Sequence, residues 1–185
     1  SLPWMITAIV RRTVWITATI AAFLLMIYDG FLLTSGRSIP AWNTALIPVL
    51  FVAYSVGGGV ALTSITMLVA GWPTLSVEMV GLIDAFLLST ILVLLCIYLI
   101  TLAGSGVTGK HSLRMLVKGR VAPFFIAGAV IAGLIVPLIL TYFAHSSTLS
   151  GLVSILVGVV AMLALAGDLS VRHSILKIGL HGSPL

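Results

Sequence analysis

The chain has 185 residues, of which 61% are hydrophobic and 7% charged, with a mean hydropathy of +1.30 and a formal net charge of +5. Soluble domains have about a quarter of their residues charged, so a soluble fold is excluded. The apolar runs are long and continuous, which excludes a membrane β-barrel with its alternating segments of about ten residues. What remains is an all-α fold, a polytopic membrane helix bundle.

Five runs are long enough to cross roughly 30 Å of hydrocarbon at about 1.5 Å per residue. The first lies near 13–33, follows Arg11 and Arg12, and closes on Tyr28-Asp29-Gly30. The loop SGRSIPAWN then leads to a second run near 45–70, with Gly57-Gly58-Gly59 at its middle. Three glycines there permit either close helix packing or local unwinding. GWPTLS separates this run from a third near 77–103, which holds Glu78 and Asp84. GSGVTGKHS opens the next connection, and a fourth run near 121–143 follows, in which Pro137 is expected to kink the helix. AHSSTLS precedes the fifth, near 149–167, after which come Asp168 and Arg172. Gly128, Ala132, Gly133, Gly151 and Gly158 read as packing faces of the last two spans, and the lone Cys96 as a small core residue.

Trp15, Trp42, Trp72, Tyr98 and Tyr142 fall mostly near span ends, where amphipathic rings favour the headgroup level. The five spans are expected to form one transmembrane domain without an internal repeat. Because the chain opens on Ser1 rather than methionine, upstream sequence belonging to a larger membrane subunit is also expected. One side of the bundle receives Arg37, Lys110, Arg114, Lys118, Arg120, Arg172 and Lys177, and the other Arg11 and Arg12. The positive-inside rule assigns the basic side, with the C-terminus, to the cytoplasm; a docking face for an acidic partner is the alternative.

The four histidines, His111, His145, His173 and His181, are expected in loops or tails, so no haem is expected within this chain. No cysteine or histidine spacing suits a metal, and no nucleic-acid motif is present. The acids carry more information, because a carboxylate at membrane depth costs a few kcal/mol unless protonated, paired or hydrated. Asp84, two turns into its span, reads either as a proton-pathway group or as a structural acid bonded to a neighbouring hydroxyl. Glu78 lies at the same end, closer to the interface. Asp168 and Arg172 stand four apart and can form an ion pair at a helix end. Tyr28 and Asp29 together could donate a hydrogen bond to a lipid-soluble ligand and exchange its proton.

The stretch YDGFLLTSGRSIPAWNTALIPVLFVAYSVGGGVAL resembles the NrfD-like family, the quinone-reactive membrane subunits of polysulfide reductase and related complexes. Tyr28, Gly30, Pro40, Trp42, Asn43, Pro48 and the glycine run carry the resemblance, and GDLSVRHSILKIG is similar to the family's closing segment through Asp168 and Arg172. Five spans in this order correspond to the C-terminal half of such a subunit. Asp29 departs from the family pattern, where proline or threonine is frequent.

The resemblance implies an anchor subunit of a respiratory oxidoreductase in a prokaryotic cell membrane. Quinone, menaquinone or ubiquinone, is its substrate, with Tyr28 at the pocket and no redox centre in this chain. The implied partners are a ferredoxin-like iron–sulfur subunit docked over Arg37, Pro40, Trp42 and Asn43, and a molybdopterin or other catalytic subunit beyond it. A secondary transporter or channel half using Asp84 as its coupling acid is the rival expectation.

Overall fold

A computed structural model describes residues 8–34, 42, 44–70, 77–146 and 150–181. The described residues are helical apart from short connections, as a chain without access to water requires, since each helix satisfies its own backbone polar groups. The helices are α1 (Ala8–Thr34), α2 (Leu46–Ala70), α3 (Val77–Gly104), α4 (Gly106–Lys118), a π-helical stretch (Phe124–Ile135) continuing into α5 (Val136–Ser146), and α6 (Ser150–His181). Among the described residues five apolar windows are long enough to span: Val10–Thr34, Leu46–Ala70, Met79–Gly104, Phe124–Ala144 and Ile155–Ile178. Most hydroxyls inside them for which a bond is seen are satisfied locally, Tyr54 and Thr141 being buried exceptions. Thr17, Thr63, Ser64, Ser89, Thr101 and Ser170 each donate to the carbonyl four residues back, at 2.7–2.9 Å.

α6 is the central element, packed against α2, α5 and the π-helical stretch. Leu50, Leu95, Tyr98, Leu102, Phe125 and Ile175 form the middle of the buried core. The tightest crossing is glycine against glycine: a methyl group added to Gly133 would overlap the Gly167 backbone, and the reverse also holds. Gly128 is packed closely against the Ser170 side chain. Small residues substitute for the hydrophobic effect in holding membrane helices together, because they let backbones approach. α1 is peripheral. It packs against α2, where Gly30 meets Pro48, and only 11% of its span is buried.

Several features differ from the sequence expectation. α2 is helical through Gly57-Gly58-Gly59, so the glycines do not unwind it. The segment after Gly104 is the helix α4, entered through Gly106 in the left-handed region (φ 84°). Its inward residues, Gly109, Ser112 and Leu116, recur at helical spacing that a glycine-rich start conceals. The fourth span changes from π to α winding at Val136, next to Pro137, whose missing N–H cannot serve either pattern. Cys96 is exposed rather than in the core, because the buried face of α3 runs through Leu88, Ile91, Leu95, Tyr98 and Leu102. The fifth span does not stop at 167. Val171, Ile175 and Ile178 carry its buried face onward, which places Asp168, Arg172 and His173 within an apolar helix rather than beyond it.

Candidate functional site

Three helices meet at the Arg172 side chain. Its Nε donates to Asp168 Oδ1 at 2.8 Å, one turn back on α6, and Nη2 donates to Ser55 Oγ of α2 at 2.8 Å. Nη1 reaches Asp29 Oδ2 of α1 at 3.4 Å, a longer and weaker contact. The guanidinium also lies 5.0 Å from the centre of the Phe51 ring, within cation–π range. Arg172 and Asp168 are largely buried, while Asp29 is about half exposed. A planar fork of five N–H donors can satisfy two carboxylates and a hydroxyl at once, which no lysine can do. One positive charge facing two carboxylates leaves the cluster with a formal charge of −1 when both acids are ionised.

Below this cluster, toward the middle of the bundle, a small cavity of about 20 Å³ is lined by Tyr54, Gly57, Gly58, Asp84, Gly133 and Asp168. That volume admits about one water molecule. Tyr54 is 5% exposed, and its hydroxyl is buried with no hydrogen-bond partner. Asp84 is 7% exposed, a carboxyl within an apolar helix. A site where an unsatisfied phenol and two carboxyls share a water-sized space has the polar partners that a water needs.

Tyr28 lies elsewhere. At about 100° per residue, it projects roughly opposite to Gly30, the residue on which α1 packs against Pro48. Its side chain is 58% exposed and stands apart from the Arg172 cluster, although Asp29 follows it directly. The flank of α1 opposite Asp29 forms an apolar groove with α2, about 530 Å³ in volume, lined by Phe23, Ile27, Phe31, Thr44, Pro48 and Val52 among others. Thr44 Oγ1 is buried near it without a partner.

Trp42 is turned inward: its indole N–H donates to the Ile175 carbonyl at 3.0 Å, tying the α1–α2 connection to α6. Arg37, Pro40 and Asn43 lie outside the described residues. Glu78 is in the first turn of α3, with its side chain outside the described set. His173, within α6, is exposed and meets the Phe124 ring at a tilt of 57°, with ring centres 5.9 Å apart. Among the described residues no three His, Cys, Asp or Glu side chains converge as metal ligands. Ser55, Phe51 and Tyr54 are site residues that sequence reasoning missed. Tyr54 and Ser55 are the only polar side chains in α2 before the glycines, and that was the available signal.

These features define an integral membrane helix bundle with an ion cluster inside its apolar spans. The chain matches the model of the polysulphide reductase NrfD family over residues 3–181 and belongs to that family. It is therefore a membrane subunit of the quinone-linked oxidoreductase class. Neither the curated proteins nor the solved structures contain a match to it.

Proposed function

We propose that this chain is the quinone-interacting anchor of a respiratory oxidoreductase, exchanging electrons between the quinone pool and a docked iron–sulfur subunit. A molybdopterin or other catalytic subunit completes the complex. The observation that carries the reading is the Arg172 cluster, because ionisable groups kept at membrane depth mark ion or proton pathways. Quinone supplies the two-electron carrier chemistry; this chain's residues bind it and move protons.

In this reading the Tyr28 hydroxyl donates to a quinone carbonyl, which gains negative charge on reduction, so the bond strengthens as the reaction proceeds. Its exposed position supports contact with a ligand in the membrane. Asp29, held by Arg172 on one side and open on the other, takes or gives the proton. Asp168, Tyr54 and Asp84 continue the polar path inward, and Glu78 lies at its far end. Arg37, Pro40, Trp42 and Asn43 form part of the docking face, with the Trp42 indole N–H turned inward to α6. Family membership favours this over a free-standing transporter.

The native complex, purified from its membrane, should contain iron and transfer electrons to a short-chain quinone analogue. Solute uptake coupled to an ion gradient by this subunit reconstituted alone would overturn the proposal.

A further inference from the structure

We propose that α4 is an interfacial helix whose exposed basic stripe binds the headgroups of anionic phospholipids. With 13 residues, α4 is about 20 Å long and too short to span. It joins the end of one spanning helix, α3, to the start of the next, so it sits where the apolar spans end. Its two faces differ in kind. Gly109, Ser112 and Leu116 are buried, against α3, α6 and the π-helical stretch that α4 packs on. Lys110, Arg114 and Lys118 recur every four residues, all exposed, and His111 and Arg120 are exposed beside them.

Among the described residues no acidic side chain neutralises this stripe. The chain's four acids are Asp29, Glu78, Asp84 and Asp168. Asp29 and Asp168 engage Arg172, and Asp84 is separated from Gly104 by about 30 Å of α3, with Glu78 farther still. Three cations in a row at the rim of apolar spans complement one thing in particular, a layer of negatively charged headgroups. The exposed Val107 and Val117 flank the stripe and suit the acyl boundary beneath those headgroups. A lipid layer also fits the location better than a protein partner does. α4 packs on the side of the bundle formed by α3, α6 and the π-helical stretch, while the loop proposed for subunit docking joins α1 to α2.

The test uses the intact complex in nanodiscs of mixed phosphatidylglycerol and phosphatidylcholine. After gentle detergent extraction, the retained lipids are counted by mass spectrometry. Each basic residue is worth about fivefold in affinity at an anionic surface. Wild type should retain phosphatidylglycerol above its input ratio, and Lys110→Gln/Arg114→Gln/Lys118→Gln should lower that enrichment at least about tenfold. Lys110→Arg/Lys118→Arg, which keeps the charge, should preserve it, as should Arg11→Gln/Arg12→Gln at the other end of the bundle. Equal retention of the two lipids by wild type, or unchanged enrichment in the triple variant, overturns the proposal. Loss of a protein subunit from the triple variant with lipid enrichment intact overturns it too, and assigns the stripe to a protein dock.

Discussion

Arg172 connects three helices through one guanidinium, so its replacements should separate charge from geometry. Arg172→Gln leaves the partly buried Asp168 without its cation, a loss below the roughly 3–5 kcal/mol of a fully buried pair. The double variant Arg172→Gln/Asp168→Asn should lose clearly less than the sum of the two single changes, because the second removes the charge that the first stranded. Denaturation of the purified complex measures both, and strict additivity would mean that the pair is not energetically coupled. At Tyr28 the decisive change is Tyr28→Phe, which keeps the ring and removes the donor. A lost hydrogen bond of about 0.5–1.5 kcal/mol predicts a roughly 2- to 13-fold fall in quinone-linked turnover, and more if the bond tightens as charge develops. Activity of the partner subunits toward soluble artificial electron carriers should stay unchanged. Wild-type quinone kinetics in Tyr28→Phe would make this tyrosine an interfacial anchor and remove it from the site.

At the scale of elements, the bundle depends on how closely α6 approaches the π-helical stretch. Gly133→Ala places a methyl group against the Gly167 backbone, which cannot swing aside as a side chain end could. The helices must separate, at about 1–3 kcal/mol or more. Gly59 faces open space within 4 Å, so Gly59→Ala should be neutral or slightly stabilising through helix propensity. Thermal denaturation of the two variants side by side tests the assignment: equal melting temperatures would show that the Gly133–Gly167 crossing is not the constraint. The contrast also explains why a glycine count misleads. In the glycine run that stands out in the sequence, Gly58 and Gly59 pack loosely or at ordinary distances and Gly57 meets only the end of the Ile91 side chain, while two isolated glycines, 133 and 167, make the tight backbone crossing.

For the whole molecule, the arrangement of acids implies a direction. Asp84 comes from the far end of α3, Asp29 and Asp168 from the Tyr28 side, and the cavity at Tyr54 lies between Asp84 and Asp168. Asp84→Asn should therefore slow proton uptake linked to quinone turnover in proteoliposomes while leaving complex assembly intact. Loss of assembly with no separable kinetic effect would favour a purely structural acid, and an unaffected variant would exclude both roles. A second expectation concerns cofactor content. Among the described side chains no histidine is buried in the bundle, His111 and His173 both being exposed, so the reduced subunit should lack a b-type α-band. A bis-histidyl haem signal assigned to this chain would sink that expectation.

The amino-acid sequence by itself determined the membrane class and the all-helical fold, because a bilayer accepts only apolar segments of about 20 residues that satisfy their own backbones. It also determined that Asp168 and Arg172 can meet, since that contact is one helical turn long. Helix ends were less legible. A charge pair looks like a terminus in a hydropathy reading, yet Asp168 and Arg172 neutralise one another and α6 continues to His181. Only tertiary structure decided that Arg172 reaches Asp29, 143 positions away, and Ser55 on a third helix. The same holds for Trp42 on the Ile175 carbonyl, and for the cavity in which Tyr54 meets two carboxyls from different helices. Such contacts depend on which faces of which helices pack together, and close glycine crossings set that, not any local period in the chain.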